Sequence, residues 1–223
     1  MGIENLLKLS GIELIDATAG MLGQQPPSQL SRPLTTPEPK LIKPTQDEWW
    51  RAADQVTAHI EAVRTQLTVV SANWDVPPSF TQYMNKIVQH LEAQQTAMHG
   101  VAWQLNAAAE ILDAGKKETK DKISEVAAGL VAALATALAM ALVSGTTAGA
   151  IGVGIAAGII AALIQWLVNR RNLQRKQLEE QSKVVQSLEG LIKGQQLKNI
   201  TPPPAPDLKG IKGFSSIHDP NYS

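Results

Sequence analysis

The chain has 223 residues, enough for one ordinary domain or a small domain with appendages. Its 20 lysines and arginines balance 20 aspartates and glutamates, so no bulk charge points to nucleic acid or to an acidic partner. Cysteine is absent, which excludes disulfides and thiolate metal sites. The charge is unevenly placed, however. Between Glu125 and Arg170 lies an apolar block with no Asp, Glu, Lys, Arg or His, so the mean hydropathy of -0.07 averages that block with an otherwise polar helical protein.

In chain order, residues 3–22 are expected to form a short, weakly amphipathic helix interrupted at Gly11. The opening stretch MGIENLLKLSG places Glu4 ahead of any cation and does not read as a cleavable secretory signal. Six prolines between Gln24 and Pro44 give that stretch a linker composition. Residues 1–44 are thus a short helix followed by a Pro-rich linker.

Order is expected to begin at TQDE, with Thr45 as helix cap and Glu48 reaching back to it. Apolar side chains then fall at Trp49, Ala53, Val56, Ile60, Val63, Leu67 and Val70, alternating steps of four and three, which makes an a/d stripe. A second stripe runs through Phe80, Met84, Ile87, Leu91, Met98, Val101, Leu105, Ala108 and Leu112, broken in character by Gln94. Between the stripes, SANWDVPPSF stops the helix. Pro77 and Pro78 lack the N–H and clash with a preceding turn, and Ser79 offers an N-cap with Gln82 at the capping-box position. So short an interval predicts an antiparallel helical hairpin within residues 45–125, its stripes facing, with Trp74 covering the open end of the seam.

Two 18-residue apolar segments follow, Val126 to Val143 and Ile151 to Val168. Each falls within the length a membrane-spanning helix needs. Lys116, Lys117, Lys120 and Lys122 precede them and Arg170, Arg171, Arg175 and Lys176 follow, while the connecting SGTTAGA is uncharged. That distribution predicts a membrane hairpin over residues 126–168 with both termini cytoplasmic if it inserts in the producing cell. Gly145 with Gly149, and Gly154 with Gly158, give two G-x-x-x-G spacings suited to close helix packing. The alternative is an Ala/Gly-rich helical pair buried in a soluble bundle. Residues 169–199 read as a charged amphipathic helix with Leu178, Val185, Leu188 and Ile192 on one stripe. The Pro/Gly-rich residues 200–223 read as a disordered tail with a short docking element around Ile211 to Ile217.

Motifs for chemistry are weak. GVGIAA at Gly152 to Ala157 fits a dinucleotide fingerprint in spacing but lacks a preceding strand and a following acidic residue, so helix packing accounts for it better. His90 and His99 are nine residues apart on one expected helix and point to opposite faces. NRRNLQRK reads as a membrane flank rather than a phosphate-contacting patch. No nucleophile elbow, phosphate-binding loop or carboxylate pair beside a histidine is visible, and neither cofactor nor metal is expected. Of the tryptophans, Trp50 lies off the first stripe and is a candidate partner contact. Trp49 lies on it, and Trp166 falls where an interfacial aromatic would sit.

A long helical hairpin with a tryptophan and prolines at its tip resembles the WXG family, the early-secreted-antigen-like substrates of type VII (ESX) secretion, over residues 46–114. NWDVPPSF aligns Trp74 with the family tryptophan, with Val76 where the family usually has glycine, and Phe80 falls where those proteins often place an aromatic on the second helix. The family's export signal is an aromatic followed four residues later by an acid beyond the second helix. Here Trp103 is followed by Ala107, and Trp50 to Asp54 has the spacing on the first helix. The resemblance implies pairing with a WXG-like helical protein or with a second copy, through a surface including Trp50, Trp74, Phe80 and Trp103.

The expectation is therefore an all-α bacterial protein: a WXG-like hairpin, an apolar hairpin of membrane type and a C-terminal amphipathic helix. Its expected function is non-enzymatic: a secretion-associated, membrane-interacting partner-binding module, membrane-associated or secreted, with a helical protein and a lipid bilayer as partners and no nucleic acid or small-molecule substrate. A pore-forming or membrane-permeabilising secreted effector, and a membrane-anchored scaffold unrelated to secretion, are the alternatives.

Overall fold

The computed structural model describes residues 3–144 and 146–194, except for the side chains of Ile3 and of residues 141–151. Among these residues all regular structure is helical: α1 (Ile3–Leu6), α2 (Gly11–Met21), α3 (Pro27–Thr35), a 3-10 turn (Pro39–Leu41), α4 (Lys43–Asn73), α5 (Pro78–Ser144) and α6 (Thr146–Gly194). The chain divides into two units, Met1–Asp47 with Ala102–Gln186, and Glu48–Val101 with Ser187–Ser223. The tail expected at 200–223, with its docking element, lies outside the described residues.

Gly11 does interrupt the N-terminal helix. It opens α2 at φ +53°, a left-handed conformation that glycine adopts without steric cost. At the other end of α2, Gly23 sits at φ +67°. The Gln24 N–H donates to the Ala19 carbonyl at 2.9 Å and the Gly23 N–H to the Gly20 carbonyl at 3.2 Å, the paired closing bonds of a Schellman motif.

The stretch expected to be a linker is instead structured, and its prolines explain why. Pro27 begins α3, Pro39 begins the 3-10 turn and Pro44 sits in the first turn of α4. In a first turn the missing N–H has no intrahelical acceptor to lose, and the fixed φ suits a helix. The next free donor, the Ser28 N–H, is held by Asp16 Oδ1 of α2 at 3.0 Å. Leu34 and Ser31 on the inner side of α3 are buried. Proline breaks a helix in its interior but suits its first turn, so a proline-rich composition is compatible with order.

Two expected caps move upstream for the same reason. Helix α4 begins at Lys43, with the Ile42 carbonyl accepting from the Gln46 N–H at 3.0 Å, so Thr45 lies inside the first turn. Helix α5 begins at Pro78, and the Pro77 carbonyl accepts from the Phe80 N–H at 2.9 Å, so Ser79 is likewise inside the helix.

In the unit holding Glu48–Val101, the first stripe is where it was expected. Ala53 and Ile60 are buried, and Trp49, Val56, Val63, Leu67 and Val70 are half-buried. Cross-links to α5 run in opposite chain order: Trp50 with His99, Thr57 with Gln95, Arg64 with Glu92. Here α4 and α5 are antiparallel. On α5 the expected seam positions Met84, Ile87, Leu91 and Met98 are half-buried, while Val88, Ala97 and Val101 are buried. Val88 lies between the seam positions Met84 and Leu91, and Ala97 lies beside Gly100, where α6 also touches α5 in this unit. A methyl group added at Gly100 would lie 2.9 Å from Leu188 Cδ1.

In the unit holding Ala102–Gln186, α5 and α6 again run antiparallel, tied by the Glu118–Arg170 ion pair at 3.0 Å. Both helices are continuous through the boundaries expected near 125 and 168. Those boundaries are changes in composition only. No proline or left-handed residue falls there to interrupt the backbone hydrogen bonds.

Candidate functional site

The apolar block forms the facing lengths of α5 and α6. Each helix contains an 18-residue window of mean hydropathy 1.9 or 1.8, long and apolar enough to cross a membrane. Only 28% of each window is buried within the chain, and the rest is half-buried or exposed. Val131, Met140, Val153, Ile155 and Val168 are exposed large apolar side chains along it.

The buried part is one core cluster. Val126, Ala127, Leu130 and Leu134 of α5 and Ala156, Ile160, Leu163 and Leu167 of α6 form it together with Leu6, Leu14, Ile15, Ala19 and Leu34 from the N-terminal segment. Steps of three and four from Ala127 on α5 and from Ala156 on α6 give one stripe on each that faces the neighbours and leaves much of the circumference outside.

Close helix approach is made by a different glycine from those expected. A methyl at Gly152 would overlap Ala137 Cβ, whereas a methyl at Gly154 or Gly158 would meet nothing within 4 Å. The G-x-x-x-G spacing identified small residues correctly but not the face they occupy. Gly152 lies four residues before Ala156 on the buried stripe, and Gly154 and Gly158 lie on the exposed side. Gly145 and the surroundings of Gly149 lie outside the described residues. The GVGIAA stretch is wholly within α6.

Below the apolar windows sits a polar layer that sequence reasoning missed. Thr119 is fully buried, its Oγ1 donating to the Gly115 carbonyl at 2.7 Å. Gln174 is buried with its amide Nε2 3.4 Å from the Ile111 carbonyl, and a methyl at Gly115 would lie 2.6 Å from that nitrogen. Burying these groups is tolerable because each hydroxyl or amide donor has an acceptor within the layer. The signal was present: Gln174 continues the three-four spacing of Leu163, Leu167 and Arg170. Arg170, expected as a basic membrane flank, is 13% exposed and paired with Glu118. Lys122 pairs with Glu125 at 2.9 Å. Lys117, Lys120, Arg171 and Lys176 remain exposed flanking cations.

A shallow groove of about 670 Å³ opens beside Lys120, where α2 and α3 meet α5. Arg32 and Lys120 lie on its lining with Ser28, Ser31, Thr35 and Ser124, and no carboxylate lines it. Among the described residues, no group of three His, Cys, Asp or Glu side chains is placed to hold a metal ion.

The four candidate partner contacts divide two and two. Trp50 is half-buried, its ring edge-on to His99 with centroids 4.7 Å apart and planes at 75°, an attractive aromatic geometry. Phe80 is half-buried in the first turn of α5. Trp74 and Trp103 are 70% and 62% exposed. The expected cover of Trp74 over the seam is therefore not formed. The Trp74 N–H closes α4 on the Val70 carbonyl at 3.0 Å, and its side chain is left outward in the turn.

No protein-family model, curated protein or solved structure matches the chain.

Proposed function

We propose that this is a non-enzymatic, secretion-associated bacterial protein that pairs with another helical protein and engages a lipid bilayer through the apolar lengths of α5 and α6. The observation that carries the membrane part is the pair of membrane-length apolar windows, only 28% of each buried within the chain. Val131, Met140, Val153 and Ile155 are water-exposed on one pair of helices, distributed around their circumference as lipid contact on several sides would require. The flanking cations at Lys117, Lys120, Arg171 and Lys176 sit where headgroup-level charges belong.

Support for the partner and secretion part is the WXG-like tip, with Trp74 aligned to the family tryptophan, and the antiparallel pairing of α4 with the start of α5. An exposed tryptophan is the side chain most enriched at binding hot spots. A pore-forming or membrane-permeabilising effector is the second reading. The coverage of part of the apolar pair by α1–α3 favours it, since such an effector has to stay dispersed in water before it inserts.

Flotation of the full chain with vesicles of phosphatidylcholine and phosphatidylglycerol tests the membrane reading. The comparison is with the double variant Val131→Lys, Ile155→Lys, whose substituted positions face outward and leave the core intact. Each buried lysine costs on the order of 2.5–3.5 kcal/mol at the centre of a spanning helix, so the variant is expected to lose flotation. If both float equally, or neither floats, the apolar pair is not a membrane element and residues 126–168 are the core of a soluble bundle.

A further inference from the structure

The N-terminal helices occupy apolar surface on both α5 and α6. Leu14 and Ile15 of α2 are 0% exposed, and Leu6 of α1 and Leu34 of α3 are 1% exposed. They belong to one buried cluster with Leu130 and Leu134 of α5 and Ile160 and Leu163 of α6, all within one unit of the chain. A helix pair that crosses a bilayer presents such side chains to hydrocarbon. The N-terminal segment cannot stay where it is in that state. Its outer side carries Glu13, Arg32 and Lys8, and its connections expose backbone that hydrocarbon cannot solvate.

We propose that α1–α3 are a displaceable cap, and that the surface they cover on α5 and α6 is a lipid-facing surface for which the cap and a phospholipid bilayer compete. The inference rests on the membrane reading and adds how it is controlled: the chain masks part of its own apolar pair, without requiring a partner for that task. Three features make the cap removable. Its link to α4 is the short stretch 36–42, so it can swing away without unwinding α5 or α6. Its own helices are short, 4, 11 and 9 residues, below the length at which an isolated helix is stable, so its order depends on the surface it covers. Its fit is incomplete, with an apolar gap of about 60 Å³ between Leu6, Thr18, Met21 and Leu22 on one side and Leu134, Val153 and Ala156 on the other. A gap of that kind forfeits packing contacts along the junction.

The test uses the full chain and the variants Leu14→Asp and Leu34→Asp, one in each of the two longer cap helices. Hydrogen exchange reports whether residues 3–35 have opened, and flotation with phosphatidylcholine–phosphatidylglycerol vesicles reports membrane binding. Each substitution removes a fully buried leucine from the cap while leaving α5 and α6 unchanged, so vesicle binding is expected to rise about tenfold or more. In the wild-type protein, residues 3–35 are expected to lose exchange protection on vesicle binding while 126–168 gain it. If wild-type protein binds vesicles with the cap still protected, or opened variants bind no better than wild type, the competition does not exist and the inference is overturned while the membrane reading stands. If neither the wild type nor cap-opened protein binds at all, the membrane reading itself fails. Asp16→Ala, which removes only the carboxylate holding the Ser28 N–H, is a milder opening variant should an aspartate substitution unfold the chain. It is expected to bind vesicles to an intermediate extent, and unchanged binding with an opened cap would again overturn the inference.

Discussion

Individual side chains carry three consequences. Trp74 is 70% exposed, so Trp74→Ala is expected to change the stability of the free protein by about 0.5 kcal/mol or less. If it is a hot spot of a helical partner's surface, the same substitution weakens that complex by about 2 kcal/mol or more. Thermal melting of the free protein and titration with the partner separate the two, and a large loss of stability alone would return Trp74 to a structural role. The glycines give an internal contrast on one helix. Gly152→Ala forces a methyl into Ala137 and is expected to cost about 1–3 kcal/mol. Gly154→Ala and Gly158→Ala enter open space and are expected to stabilise by roughly 0.5–1 kcal/mol each, through lower backbone entropy in the unfolded chain. Denaturant titration of the three variants checks the order, and a reversed ranking would mean that the stripe through Ala156 is not the packed face. Asp16→Ala leaves the first turn of α3 without its acceptor and is expected to cost about 1 kcal/mol, read by the same titration.

For the elements, the informative feature is continuity. Helix α5 runs from Pro78 to Ser144 and α6 from Thr146 to Gly194, each passing from charged to apolar sequence, or back, without a break. Ser124 is exposed and lies at the compositional boundary inside α5. Ser124→Pro therefore removes a helical hydrogen bond with little disturbance of side-chain packing, and is expected to cost about 3 kcal/mol. Were α5 two helices with a joint near 125, the same proline would be nearly neutral, and circular dichroism with denaturant melting distinguishes these outcomes. The heptad stripe of α4 was legible because a seam against an antiparallel helix imposes a strict three-four spacing. The second stripe was legible only in part. Where α5 has α4 and α6 as neighbours, Ala97 is buried in addition to the seam, and no single period describes a helix with two contacts.

At the scale of the whole chain, the exposed apolar side chains set an expectation for association. A chain with an outward-facing apolar block is expected to self-associate in water unless a partner, a bilayer or its own N-terminus covers that block. Sedimentation of the full chain is expected to show concentration-dependent association that vesicles or a helical partner suppress. A monodisperse monomer at all concentrations would show that the outward face needs no cover. Exposed ion pairs such as Arg64–Glu92, Lys43–Asp47 and Arg175–Glu179 add little to this balance, being solvated and salt-screened.

The sequence by itself determined that the described residues are helical, that α4 turns back at Pro77–Pro78 and that two segments are apolar over membrane length. Each of those follows from local rules: side-chain period, the missing proline N–H, and an uninterrupted uncharged run. What only the tertiary structure decided is which face of each helix is used and what lies against it. Gly152 rather than Gly154 makes the close approach, Gln174 and Thr119 are buried, and the proline-rich stretch after Gln24 folds onto the apolar pair instead of linking it. Such choices depend on neighbours distant in sequence. A helix fixes the angular spacing of its side chains, but its partners decide which of those angles face inward.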